Sequence, residues 1–180
     1  AYAAGASGLP FGVLRGYRGT DLPARNPMIR TIECPFTGEQ LAAIPAVRAD
    51  VAIIHAQRAD RSGNVQLWGI TGVQKEAVLC ADRALVTVEE IVDELTPVPD
   101  QVVLPNWIVD AVCAVPGGAW PSYALGYSDR DNHFYTAWDG IARDRDGFQA
   151  WIGRHVRGTP DHAAFVASLA AADTGAPADA

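Results

Sequence analysis

The sequence predicts an α/β fold in which an open, mainly parallel sheet is followed by C-terminal helices. Three observations carry that expectation. Val51-Ala52-Ile53-Ile54 and Ala84 to Val88 are continuous apolar runs bounded by polar or charged residues, the pattern of strands buried on both faces of a parallel sheet. Between them Val73, Ala77, Val78 and Cys80 fall near helical spacing, so residues 72–81 supply the crossover helix that a parallel pair requires. Beyond Pro116-Gly117-Gly118 the pattern becomes helical, with helices expected over 132–142, 146–156 and 160–172.

The remaining elements follow in chain order. Leu9 to Leu14 reads as a buried strand entering the glycine-punctuated loop Arg15-Gly16-Tyr17-Arg18-Gly19. The β-prone stretches Ile29 to Cys34 and Gln40 to Ile44 flank Pro35-Phe36-Thr37-Gly38 and predict a hairpin. Gln101 to Leu104, set between prolines, is a third buried strand, and Trp107 to Val115 is expected as a short helix. The last helix has Thr159 as its N-cap and Pro160 at its first position. Residues 1–172 are expected to form one domain, and residues 173–180, small and polar, a frayed flexible tail.

Composition narrows the function. At 180 residues, 49% hydrophobic and 19% charged, the chain is long enough to bury a core without staples. Its 21 acidic against 14 basic residues give a net charge of −7, which repels phosphate backbones and anionic surfaces, so no nucleic-acid partner is expected. The longest apolar runs fall far short of the roughly 20 residues a span needs, so no membrane partner is expected either. Cys34, Cys80 and Cys113 have no paired short spacing, which argues against a disulfide framework or structural zinc. With no export leader at the start, a reducing cytoplasm is the expected location. Zincin, serine-elbow, Walker and dinucleotide-binding motifs are all missing.

Val51 to Gln66, VAIIHAQRADRSGNVQ, is the most informative stretch. Polar side chains directly after a buried parallel strand lie at the carboxyl edge of the sheet, where open α/β folds build their sites. His55, Gln57, Arg58, Asp60 and Asn64 are so placed. Asp60, Gly63 and Asn64 equally satisfy a tight turn, and His55 equally reads as a core histidine. Glu89-Glu90 follow the next apolar run, either as carboxylates for nucleophilic or base chemistry or as the first turn of a helix. Residues 15–21, RGYRGTD, form a two-arginine loop able to approach a phosphate or carboxylate.

Four runs in order and spacing, LPFGVLRGYRGTDL at 9–22, CPFTGEQLAAIPAVRADVAIIHAQRADRSGNVQLWG at 34–69, QKEAVLCADRALVTVEEIVDE at 74–94 and VDAVCAVPGGAWPSYALGYSDRDNHFY at 109–135, resemble the alpha subunit of family I CoA-transferases. The resemblance implies the α/β fold of the CoA-transferase type, with residues 1–172 as the carboxyl-side portion of an alpha-subunit domain whose family members are longer at the amino end. It implies ping-pong transfer of CoA between an acyl-CoA and a carboxylic acid, with CoA as substrate and no bound cofactor or metal. The nucleophilic glutamate of that chemistry belongs to a partner beta subunit, so neither Glu89 nor Glu90 is assigned to it and no catalytic residue is expected here. His55, Gln57 and Asn64 match the alpha-subunit side of the active-site cleft, and Arg18 and Gly19 are positioned to meet an acyl carboxylate. The ring-cleaving hydrolases of steroid catabolism resemble the sequence too, and imply the alternative of a hydrolase subunit. A noncatalytic ligand-sensing domain on a similar α/β architecture is a third reading.

Overall fold

The computed structural model describes residues 1–17 and 19–173. Arg18, one of the expected substrate-binding residues, and residues 174–180 of the expected tail lie outside the described residues. The chain divides into two compact units, Ala1–Ala114 and Val115–Ala180.

The first unit contains two sheets. After α1 (Tyr2–Ala6) come β1 (Phe11–Leu14), α2 (Leu22–Arg25), β2 (Arg30–Glu33) and β3 (Gln40–Pro45). β3 pairs antiparallel with both other strands, in the order β1-β3-β2. The expected hairpin is therefore present, its turn closed by Cys34 N–H donating to the Glu39 carbonyl at 2.8 Å and Gly38 N–H to the Cys34 carbonyl at 2.9 Å. β1 differs from the buried strand expected, because Phe11 and Val13 are exposed. A small antiparallel sheet leaves one face to solvent, so an apolar run there is no guarantee of burial.

The second sheet carries the core. β4 (Ala49–Asp60), β6 (Ala81–Val92) and β8 (Ala111–Ala114) pair parallel, β5 (Val65–Leu67) pairs antiparallel with β4, and β7 (Val102–Leu104) pairs antiparallel with β5 and so again runs in the direction of β4, giving the order β7-β5-β4-β6-β8. The fold is thus α/β, with α3 (Gln74–Leu79) as the expected helix between β5 and β6. Val78 of α3 joins Ala52, Ile54, Ala56, Ala84, Val86 and Val88 in one buried cluster, which Val65, Leu67 and Leu104 complete at 0–1% exposure.

Three expectations about these strands need correction. The strand expected over 51–54 runs on to Asp60, so His55 and Gln57 lie within it rather than in a loop beyond it. Their polarity disguises a continuing strand in which Ala56, between them, and Ala59, just beyond, are buried. Glu89-Glu90 lie likewise inside β6, where Glu90 pairs in register with Arg58. The short helix expected over 107–115 is a 3-10 turn at Asn106–Ile108 followed by β8. There the ladder of Ala111 to Ala114 against Leu85 to Val88 outweighs a weak helical pattern rich in β-branched valine.

In the second unit lie α4 (Asn132–Ala142), α5 (Arg145–Ile152), a π turn at Gly153–Arg157, and α6 (His162–Asp173). The side chains of Asp131 and Asp144 cap α4 and α5 by accepting from Phe134 N–H at 2.8 Å and Gly147 N–H at 2.6 Å. α6 starts later than Thr159-Pro160 implied. Asp161 accepts from Ala164 N–H at 2.8 Å, while the Thr159 hydroxyl donates back to the His155 carbonyl at 2.9 Å. An aspartate two residues on makes an equally good cap and leaves the proline outside the helix. Trp120, Trp138 and Trp151 surround Phe134 with ring centroids 4.3–6.0 Å from its own, a half-buried aromatic cluster. No helix of the described residues is long and apolar enough to cross a membrane.

Candidate functional site

β4 and β6 together place the polar residues of interest. In their parallel register His55 stands opposite Thr87. The His55 ring is held on both sides, with Nδ1 2.9 Å from the Thr87 hydroxyl and Nε2 2.9 Å from Glu89 Oε1. The His55 side chain is 16% exposed and that of Glu89 4%. Nε2–H donates to the Glu89 carboxyl oxygen, and the Thr87 hydroxyl beside Nδ1 also lies 3.4 Å from the Ile54 carbonyl. A buried carboxylate needs such a donor. The histidine therefore orients Glu89 and is oriented by it. Sequence reasoning does not single out Thr87 or Glu89 as its partner, although their alternate spacing on one strand puts both on the His55 face.

Gln57, two residues on, is buried and spends its amide on backbone. Its Nε2 donates to the Trp68 carbonyl at 3.1 Å, and Trp68 N–H donates to its Oε1 at 3.3 Å. Arg58 pairs with Glu90 at 2.6 Å, its guanidinium 5.5 Å from the Trp68 ring centroid. Arg61 continues the row with Asp93 at 2.5 Å.

Asn64 closes the turn between β4 and β5. Asp60 Oδ1 accepts from Ser62 N–H at 2.9 Å and Asn64 N–H at 3.0 Å, and Oδ2 accepts from the Asn64 amide at 2.8 Å. Gly63 takes φ +88°, a conformation costly for any residue with a Cβ. Burial pushes the Asp60 carboxyl up, but the Asn64 amide and the N–H groups of Asn64, Ser62 and Gly63 outweigh it and hold the group below the usual aspartate value. The turn reading of Asp60, Gly63 and Asn64 is thus realised. Asn64 also reaches outward, its Oδ1 accepting from Asn106 N–H at 3.0 Å, while Asn106 Nδ2 donates to the Ser62 carbonyl at 2.9 Å.

Gly19 lies in the exposed loop after β1. Tyr17 and Gly19 both take positive φ, +68° and +76°, and the Thr20 hydroxyl and N–H both donate to the Tyr17 carbonyl. A cavity of about 120 Å³ opens beside this loop, lined by Arg15, Tyr17, Ile29, Thr31, Gln40 and Leu41. Arg15 is fixed there by a two-pronged bond to Glu39 at 3.0–3.2 Å. Among the described residues no hydrogen bond or ion pair joins Gly19 to His55, Gln57 or Asn64. The expected site residues therefore fall into two places: the β4 group, and the loop after β1. No group of three or more His, Cys, Asp or Glu side chains among the described residues is arranged to hold a metal ion.

The chain is similar to known proteins over nearly its whole length. The chain is 64% identical over 169 residues to the alpha subunit of 3-oxoadipate CoA-transferase from Pseudomonas knackmussii, covering 94% of this chain and 60% of that protein. It is 33% identical to the alpha subunit of glutaconate CoA-transferase from Acidaminococcus fermentans, covering 89% of this chain and 51% of the relative. It superposes on the crystal structure of glutaconate coenzyme A-transferase from Acidaminococcus fermentans with a TM-score of 0.79 at 29% identity, over 93% of this chain and 59% of the other. The chain thus spans about half to three-fifths of the length of these curated relatives. With the family profile described as Coenzyme A transferase matching residues 1–114, the chain belongs to the coenzyme A transferase family.

Proposed function

We propose that the chain is part of the alpha subunit of a CoA-transferase that exchanges CoA between an acyl-CoA and a carboxylic acid, the acid being a 3-oxo dicarboxylate such as 3-oxoadipate. The observation that carries this reading is the 64% identity, across 94% of the chain, to the alpha subunit of 3-oxoadipate CoA-transferase. The partner is a beta subunit, the assembly a cytoplasmic hetero-oligomer, and CoA is a substrate rather than a bound cofactor. A glutamate carboxylate on the partner attacks the thioester carbonyl, the C–S bond breaks, and CoA thiolate leaves an acyl-glutamyl anhydride. The thiolate then attacks the glutamyl carbonyl, releasing the first acid and forming a glutamyl-CoA thioester, which the second acid opens by the reverse steps.

In this reading His55, Gln57 and Asn64 shape the alpha-subunit side of the cleft, and the loop of Arg18 and Gly19 meets the substrate carboxylate. The chemistry of the side chains supports a positioning role. Gln57 and Asn64 hold the Trp68 and Asn106 backbones, and His55 holds a buried carboxylate.

The test uses the full-length polypeptide copurified with its partner, incubated with short-chain acyl-CoAs and 3-oxoadipate and then treated with borohydride. Peptide mass spectrometry is expected to find a reduced glutamate on the partner. CoA release without any adduct would overturn transferase chemistry in favour of hydrolysis. His55→Ala should lower kcat at least about tenfold, with His55→Gln, which keeps a donor toward Glu89, retaining more activity. Equal activity per folded molecule in both variants would make His55 structural only.

A further inference from the structure

Asn64 and Asn106 make a contact that the turn between β4 and β5 does not need for its closure. Asp60 already closes that turn by accepting from Ser62 N–H, Asn64 N–H and the Asn64 amide. Asn106, 42 residues beyond Asn64, adds a second set of bonds. Its N–H donates to Asn64 Oδ1 at 3.0 Å and its Nδ2 to the Ser62 carbonyl at 2.9 Å. A Cβ on Gly63 would stand 3.4 Å from Asn106 Cβ, so the two segments are in van der Waals reach.

The Asn64 amide is therefore held at both ends. Oδ1 faces the Asn106 N–H and one hydrogen of Nδ2 faces Asp60 Oδ2, which fixes the amide plane and with it the direction of the second Nδ2 hydrogen. That hydrogen has no partner among the described residues. It sits on a half-buried side chain just past the carboxyl end of β4, the edge at which open α/β sheets bind ligands. A donor whose direction is set in advance recognises one oxygen at little cost in ordering. The neighbouring charge selects which kind of oxygen. Asp60 bonds to the same amide nitrogen, and its N–H partners hold its carboxyl below the usual aspartate value. A second carboxylate at this place would be repelled, whereas a neutral carbonyl would not.

We propose that Asn64 donates its second amide hydrogen to the ketone oxygen of a 3-oxo acid, and that Asn106 is the positioning residue that aims it; this rests on the function proposed above. The two asparagines then determine specificity. A site built to hydrogen-bond one substrate group rejects the analogue lacking it, because its own donor is left unpaired.

The test takes the full-length polypeptide with its beta subunit and compares 3-oxoadipate with adipate, the same acid without the ketone, as CoA acceptors. The readout is the ratio of their kcat/KM values, which the unmodified enzyme should hold at about thirtyfold or more in favour of 3-oxoadipate. Asn64→Ala should contract that ratio at least about tenfold, and Asn106→Pro, which removes both bonds, at least about fivefold. Proline fits there, since Asn106 opens the 3-10 turn and Pro105, at ψ 149°, is already extended as a residue before proline must be. Asn106→Ala keeps the N–H to Asn64 but loses the bond to Ser62, so it should contract the ratio about two- to threefold, and it decides the matter if the proline variant does not fold. A merely structural clamp would lower both kcat/KM values together, and an unchanged ratio in the Asn64 or Asn106 variants overturns the proposal. So does an unmodified enzyme that accepts the two acids alike. Release of free CoA with transfer to neither acid would instead overturn the proposed function, and this inference with it.

Discussion

Asp60 shows how one side chain settles what a motif is for. Its carboxylate gathers two backbone N–H groups and the Asn64 amide, and these hold its folded-state pKa below the usual value. A depressed carboxyl contributes stability above its unfolded pKa and loses it as pH falls through the folded value. Asp60→Asn, which cannot accept in the same way, is expected to cost about 1–2 kcal/mol at pH 7 and to flatten the acid limb of stability below about pH 4. Urea denaturation at pH 7, 5 and 3 checks this, and an unchanged acid limb would show that the turn draws nothing from the charge. The Asp60-Gly63-Asn64 turn is legible in the sequence because its partners lie within five residues of one another. The contacts of Gln57 and Glu89 are not, since their partners, Trp68 and His55, are 11 and 34 residues away and are set by strand register.

At the scale of elements, apolar runs locate β4 and β6 but underestimate their length. His55, Gln57, Glu89 and Glu90 look like the end of a strand when burial is judged by polarity alone, yet His55 and Glu89 bond to each other across β4 and β6, Glu90 pairs with Arg58, and Gln57 holds the backbone of Trp68 just beyond β5. β7 makes the complementary point, for its three residues divide sharply between the faces of the sheet. Leu104 is 1% exposed and Val103 44%. Leu104→Ala should therefore cost about 2–5 kcal/mol and Val103→Ala about 0.5 kcal/mol or less, read as the difference in urea midpoints at constant m-value. Similar costs at both positions would mean that β7 is buried on both sides. β8 reads as a helix in the sequence because a ladder against a strand some 26 residues upstream leaves no local trace in four residues.

For the molecule as a whole, the α/β class and the family are legible because strand, crossover helix and strand recur in order with motifs at fixed spacing. The antiparallel β5 and the edge strand β7 are harder to see, being three residues long each. The same topology also sets an order of events in time. Every β4–β6 pair joins residues 32 apart, as His55 joins Thr87, whereas β4 meets β5 across a five-residue connection capped by Asp60. Closing the longer loop costs about 1.5 kcal/mol more in chain entropy, so the hairpin closes first and the parallel ladder waits for it. Val65→Ala in the hairpin should slow refolding, and Val112→Ala in β8 should chiefly speed unfolding, in stopped-flow chevrons; the reverse pattern would place the nucleus on the β6–β8 side. A five-residue turn that looks like a detail of one sheet edge thus acts as the clock of the fold, and a lesion there would be felt as delay before it was felt as loss of stability.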